Sequence, residues 1–409
     1  MELTPRRRRL SFFSVFFTYL VDLLGWSIVF PIFAPFFLDP HNHIFSADIS
    51  INARTTVLGI FLAAYPLAQF FGAPVLGEWA DKYGRKKAFL ISITLTTIGY
   101  GLTAFSMMHS LLVLLFAARL MSGLFSGNLS ICLAAISDLS PNEKAKIRYF
   151  GYLSVLAGLA FIIGTFVGGK FSDAKVNPLF SPDLPLWMAA GLSFLNLLFV
   201  IFGFTETYRP DKDARFDFLE SIHNIQQALK TKRIKSMYMI YFLFVVSWTI
   251  LLQFTPVHMI RFYHFTNSDI GTLSACMGIG WAFGSGLISR FLTRFFSPLK
   301  SLEVTLIVLT YFCAMIAFPD KLQFVLIFLA ASVITAGVAW PLCTGVISNL
   351  APKNIQGKIM GMSQSMQSLA MTISPIIGGI SYELFPRMIF FLSAFISLIA
   401  ALIYFRLKD

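Results

Sequence analysis

Two ionisable residues stand inside stretches that are otherwise almost wholly apolar. Asp22 lies within the run from Leu10 to Leu38, and Arg119 lies within a second run from about residue 110 to 136. A carboxylate at hydrocarbon depth is costly unless it is protonated, paired or wet, so the chemistry open to Asp22 is proton binding or ion pairing. Counting from Leu10, Asp22 sits ~18 Å into the membrane and so ~12 Å from its outer face, from which Arg119 is ~14 Å deep. The two can meet at one level. In a cavity walled by their helices, proton binding at Asp22 would loosen that pair and change the affinity for a solute. The alternative is a buried ion pair that only fixes helix packing.

A second cluster is the charged knot Gly77-Glu-Trp-Ala-Asp81-Lys-Tyr-Gly84-Arg85-Lys86-Lys87 between two long apolar stretches. Gly77 and Gly84 permit close helix approach and a tight turn. Asp81 is then expected at the positive N-terminus of the eleventh helix, around Gln356 and Gly357, and Arg85 is expected to pair with Asp138. With Lys86, these residues form a candidate cytoplasmic gate. The alternative is a solvated loop that only sets topology. Gly151, Gly158, Gly164, Gly168 and Gly169, with Thr165 among them, give the fifth helix a thin face, which serves either packing or a hinge. Asp22, Trp26, Arg119, Asn128, Gln253, Trp340 and Gln364 are the candidate solute-binding residues; Trp248 and Gln367 offer similar groups. Each also makes sense as a helix–helix contact. His258 and His264 fall near the outer face and are expected to meet water.

These residues have to be positioned by membrane helices. The chain has 409 residues, 56% hydrophobic and 13% charged, with a mean hydropathy of +0.73, more apolar surface than a water-soluble domain can hide. Twelve spans are expected, at about 10–37, 56–77, 87–106, 110–136, 147–169, 185–205, 236–258, 269–291, 300–318, 322–348, 356–383 and 386–406. Each is near or above the ~20 residues that cross ~30 Å of hydrocarbon. Arg6 to Arg9 lead straight into the first span, which is too long for a signal-peptide core.

The net charge of +12 does not indicate a nucleic-acid partner, because the basic residues sort into alternate loops rather than onto one face. Both termini and the Gly77–Lys87 loop are expected at the cytoplasmic face of a cell membrane, the bacterial inner membrane. The long polar loop from Glu206 to Lys235 divides the chain into residues 1–206, a linker 207–235 and residues 236–409. Phe218, Leu219, Ile222, Ile225 and Leu229 recur at helical spacing in it, predicting a short amphipathic surface helix. Gly77, Asp81 and Arg85 are echoed by Gly286, Arg290 and Arg294, each 209 positions later; Gly164, Gly168 and Gly169 are echoed by Ser374, Gly378 and Gly379, each 210 later. A duplicated six-helix unit is implied. Cys132, Cys276, Cys313 and Cys343 lack metal-ligand spacing and are read as packing residues. No phosphate-cradling loop, metal-ligand cluster or nucleophile constellation is present, which argues against ATP-driven pumping and against an enzyme with a cofactor or metal.

The Gly77–Lys87 spacing resembles the signature loop of the major facilitator superfamily, and Leu115, Arg119 and Gly123 resemble its fourth-helix pattern. Leu20-Val-Asp-Leu-Leu-Gly25 with Pro31 and Pro35, and Ser137-Asp138-Leu-Ser-Pro141, are similar to its tetracycline- and multidrug-exporting branch. The resemblance implies an all-α membrane fold of twelve helices in two pseudo-symmetric six-helix bundles. It also implies a monomer that moves a small molecule by alternating access, coupled to protons. Export of an amphiphile or drug is the expectation. That branch carries Gly-Pro-x-x-Gly-Gly on its fifth helix, whereas Thr165 stands here in the proline's place, so uptake of a nutrient or metallophore is kept as an alternative. A non-transporting receptor is the third; it would tolerate loss of Asp22, Arg119 and Asp81, all of which are present.

Overall fold

The computed structural model describes residues 4–46, 48–207, 219, 222–223, 226, 232–350, 356–384 and 386–408. The predicted surface helix between Phe218 and Lys230 falls largely outside these. The described secondary structure is helical, because long apolar runs with few charges satisfy their backbone donors and acceptors internally only by coiling. Among the described residues, eleven helical stretches are long and apolar enough to cross a membrane. Gln356–Leu384 is a further long helix.

Three of the spans are interrupted. The first is split into α1 (Pro5–Ser27) and α2 (Phe30–Leu38), where Pro31 at the start of α2 has no amide hydrogen to continue the ladder. Then follow α3 (Ile51–Tyr83) and α4 (Arg85–Met108). The fourth span is split into α5 (Leu112–Leu124) and α6 (Asn128–Leu139). Backbone oxygens freed at that break are taken up locally: the Ser126 hydroxyl donates to Gly123 O at 2.7 Å and the Thr96 hydroxyl to Phe125 O at 3.4 Å. α7 (Glu143–Phe171) and α8 (Leu184–Gly203) complete the first six spans.

Beyond the linker come α9 (Lys232–Tyr263) and α10 (Asn267–Phe283). α10 passes through a wide π-helical turn, Gly284–Ile288, into α11 (Ser289–Phe295). α12 (Pro298–Met315), α13 (Leu322–Leu350), α14 (Gln356–Leu384) and α15 (Met388–Lys408) close the chain.

The chain forms two compact units whose boundaries do not follow the sequence order. The first comprises Met1–Ser46, Leu67–Glu220 and Thr266–Ala275; the second comprises Ala47–Pro66, Ser221–Phe265 and Cys276–Asp409. Within the first, α1 packs on α7 and α8, and α4 on α5 and α8; within the second, α9 packs on α14 and α15, and α12 on α13 and α15. Hydroxyl and amide contacts join the helices, as expected where lipid offers no hydrophobic drive between them. The Thr18 hydroxyl donates to Asn196 Oδ1 at 2.9 Å, Thr97 and Ser193 hydroxyls meet at 2.7 Å, and Ser247 and Ser393 hydroxyls meet at 2.9 Å. Many large apolar side chains are outward-facing, among them Val113, Phe202 and Phe291, as suits contact with hydrocarbon.

Candidate functional site

Asp22 is half-buried on α1. The break between α5 and α6 determines what it meets, because Asn128 is the first residue of α6 and directs its amide across to α1. Asn128 Nδ2 donates to Asp22 Oδ1 at 3.1 Å, and the Ser92 hydroxyl of α4 donates to Asn128 Oδ1. One amide thus links a hydroxyl to a carboxylate across three helices. Trp26, one turn beyond Asp22, lies against Phe30 with ring centroids 4.8 Å apart and against Phe161 at 6.1 Å. Arg119 is buried on α5, and its guanidinium lies 5.2 Å over the Phe33 ring of α2. A cation held on an aromatic face in this way keeps its charge at low solvation cost. Asp22 and Asn128 are therefore joined by the hydrogen bond that Asn128 supplies, Trp26 lies on the aromatic pair Phe30 and Phe161, and Arg119 is seated on Phe33.

The Gly77–Lys87 segment is organised around Arg85, which is buried. Its Nη1 lies 2.7 Å from Asp81 Oδ1 and its Nε 3.6 Å from Asp138 Oδ2, so the expected Arg85–Asp138 contact is made, with Asp81 on the same guanidinium. Gly84 has a φ of 99°, a conformation that side chains rarely adopt. Gly77 differs: a Cβ there would meet nothing within 4 Å among the described residues. The α14 end that Asp81 was expected to cap, around Gln356 and Gly357, lies outside the side chains described.

The thin face of α7 divides in the same way. A Cβ at Gly164 would strike the Ser27 hydroxyl, and one at Gly168 would strike the Ile28 carbonyl. At Gly158 and Gly151 it would meet nothing within 4 Å among the described residues. Thr165 is fully buried, and its hydroxyl donates to Phe161 O at 2.8 Å. It keeps the helical amide bond that a proline would lose, and adds a second donor to the same carbonyl.

A family model described as Major Facilitator Superfamily matches residues 15–320 and 237–409. The tetracycline resistance protein of class H from Pasteurella multocida is 26% identical over 377 residues, covering 89% of this chain and 87% of the relative. The class B protein from Escherichia coli is 28% identical over 376 residues, covering 89% and 86%. Among solved structures, the human organic anion transporter MFSD10 (TETRAN) superposes with a TM-score of 0.71 at 18% identity, covering 98% of this chain and 100% of that one. The chain belongs to the major facilitator superfamily. It falls in the tetracycline-resistance-like branch, and it is a multi-pass membrane transporter of the twelve-helix fold rather than an enzyme.

For a major facilitator protein, one residue at the signature loop escaped the sequence reading. Glu206, just past α8, accepts from the Arg85 amide at 3.0 Å and from the Lys86 amide at 3.0 Å. Its carboxylate therefore occupies the positive N-terminus of α4. The Lys86 ammonium in turn donates to Ile201 O at 2.9 Å, at the end of α8, and Arg8 Nη2 donates to Leu139 O at 2.6 Å, at the end of α6.

In the second unit the candidates are aromatic and amide groups. Trp248, Trp281 and Trp340 form a chain of rings, with centroids 4.6 and 5.6 Å apart. The Tyr241 hydroxyl donates to Gln367 Oε1 at 3.2 Å. Gln253 is buried, with no partner for its Oε1 among the described residues, and Gln364 is exposed. Trp281 had not been singled out. His264 is exposed but His258 is buried among Phe262, Tyr263 and Phe390, against the expectation that both meet water; α9 turns that face onto α15. Cys276 is exposed, so it does not pack as the three buried cysteines do.

Proposed function

We propose that this transporter exports an amphiphilic small molecule in exchange for protons, by alternating access, across the bacterial inner membrane. On this reading it is a monomer, its halves are residues 1–206 and 236–409, and both termini are cytoplasmic. One observation carries the reading: Asp22, half-buried within the first span of a transporter, takes a hydrogen bond from Asn128. An amide can donate to a carboxylate and, by rotation, accept from a carboxyl, so Asn128 can serve both protonation states. The Ser92 hydroxyl is free to follow that rotation. Solute would bind beside Asp22, Trp26 and Asn128, with Arg119, Gln253, Trp340 and Gln364 as further contacts. The Asp81–Arg85–Asp138 contacts, with Gly84 and Lys86, would hold the cytoplasmic side. Export draws support from the relatives named for tetracycline resistance.

A second reading, proton-coupled uptake, is favoured by Thr165 in the position of the branch's proline. Flux of tetracycline and of a cationic dye, measured in proteoliposomes with the pH gradient imposed in either direction, separates the two. Export predicts accumulation against the proton gradient; movement of solute with the protons establishes uptake and overturns export.

A further inference from the structure

The duplication seen in the sequence extends to a pair of contacts at the helix ends opposite the Gly77–Lys87 loop. At the first, Gly169 of α7 meets Gly271 of α10 backbone to backbone. A Cβ on Gly169 would lie 2.5 Å from Gly271 Cα, and one on Gly271 would lie 2.6 Å from Gly169 Cα and 2.7 Å from Thr165 O. No side chain fits that crossing. Four residues past Gly169, the buried Asp173 accepts from the Ser268 amide at 3.0 Å. Lys170 Nζ donates to the Ser268 hydroxyl at 2.6 Å, and Asn267 Nδ2 to Ser172 O at 3.1 Å.

The start of α10 shows why Asp173 is needed. Thr266 and Asp269 form a reciprocal cap: the Asp269 amide donates to the Thr266 hydroxyl at 3.3 Å, and the Thr266 amide to Asp269 Oδ2 at 2.9 Å. The Ser268 amide is left over, and α7's extension supplies its acceptor.

At the second contact, Gly379 of α14 meets Gly59 of α3. A Cβ on Gly379 would lie 3.3 Å from Gly59 Cα and 3.2 Å from Thr55 O. Four residues past Gly379, Glu383 accepts from the Thr56 hydroxyl at 2.8 Å, and its carbonyl accepts from Asn52 Nδ2 at 3.3 Å. The numbering is regular. Gly169 and Asp173 are repeated by Gly379 and Glu383 at an offset of 210, and Thr56 and Gly59 by Ser268 and Gly271 at an offset of 212. Each contact joins a helix of one sequence half to a helix of the other.

We infer that Asp173 and Glu383 are equivalent positioning residues, one per half, that latch these helix ends together in one state of the transport cycle and release together in the other. The inference rests on the alternating-access reading. A duplicated crossing with a carboxylate one turn beyond it is more than packing requires: the glycines alone set the approach, whereas the carboxylates add directional bonds that break when the helices part. The two latches differ in strength, because Asp173 is buried and Glu383 is exposed.

The test uses the full chain with its four cysteines replaced by alanine and Thr55→Cys added. Thr55 is fully buried against the second latch. A membrane-impermeant maleimide applied from the latch side reads opening without any solute, so failure of the latch inference is distinguishable from failure of the transport reading. Glu383→Ala is expected to raise the labelling rate about tenfold, as loss of a charge-assisted hydrogen bond would. Asp173→Ala is expected to raise it by at least as much, although Asp173 belongs to the other contact. Asp173→Asn and Glu383→Gln, which keep an accepting oxygen, are expected to restore most of the protection. A rise with Glu383→Ala alone overturns the shared role, and unchanged labelling in both alanine variants overturns the latch itself.

Discussion

The two copies of the duplicated unit have kept their equivalence at one set of helix ends and lost it at the other. At the latch ends, Gly169 and Asp173 correspond position for position to Gly379 and Glu383. At the signature loop they do not correspond. In the first copy α3 runs unbroken to Tyr83, and Arg85 is buried between Asp81 and Asp138, with Glu206 under the next helix. In the second, Gly286 sits in a π-helical turn, and Arg290 and Arg294 are exposed; Arg294 lies 5.9 Å over Phe295. The position of Asp81 is occupied in the second copy by Arg290, so a cation stands where the first copy has the carboxylate that binds Arg85. The same helical hairpin thus carries a charge network in one half and a solvated basic end in the other. Conserved backbone spacing does not guarantee conserved chemistry.

Five substitutions would break or sharpen this contrast. Gly271→Leu should have the largest effect, since the leucine would have to displace α7 backbone. Overpacking of that kind costs about 3 kcal/mol or more, and the variant is expected to lose solute flux entirely while Gly286→Leu retains it in the same proteoliposome assay. Arg85→Ala leaves Asp81 and Asp138 without their shared cation, and should cost about 1.5 kcal/mol of folding stability, because both carboxylates keep some solvent. Arg294→Ala should cost less than about 0.5 kcal/mol. Melting of the purified proteins in detergent checks both, and equal losses would show that the second loop carries a hidden network. Glu206→Gln keeps an acceptor for the α4 amides but removes the charge, and should cost about 1 kcal/mol in the same measurement.

The smallest effect concerns pH. Burial opposes the charge on Asp173, but the Thr266 side chain, the Ser268 and Lys175 amides and the Lys175 charge outweigh it and hold the carboxyl below its ordinary 3.8. A lowered value means that the stabilising contribution is present above the ordinary range and is lost only as the pH falls through the lower one. Protection of a thiol at Thr55, taken as its labelling rate relative to that of an exposed thiol at the same pH, should therefore stay flat between about pH 5 and 8, and a change in that ratio would assign the latch to another group.

Much of this was legible in the sequence. Hydropathy and the alternation of basic loops marked the spans, and the glycine echo marked the α7 and α14 crossings before their partners were known. The Arg85–Asp138 contact was legible because its two motifs lie at adjoining helix ends. What escaped was set by contacts remote in sequence. Asn128 donates to Asp22 because the helix breaks at Gly127, and hydropathy does not register a break inside an apolar run. Glu206 caps a helix 121 residues earlier in the chain, and no local pattern announces that. Gly158 shares the spacing of its neighbours but meets no close partner among the described residues, since periodicity gives the face of a helix and not what lies opposite.

The central claim is that Asp22 is the proton site, and Asp22→Asn tests it most directly when two fluxes are measured on the same proteoliposomes. Asparagine keeps the size and the hydrogen bond to Asn128 but cannot ionise. Accumulation of solute driven by a pH gradient should vanish, while exchange of labelled for unlabelled solute without a gradient should continue. Gradient-driven accumulation at the unsubstituted rate in Asp22→Asn would contradict the account.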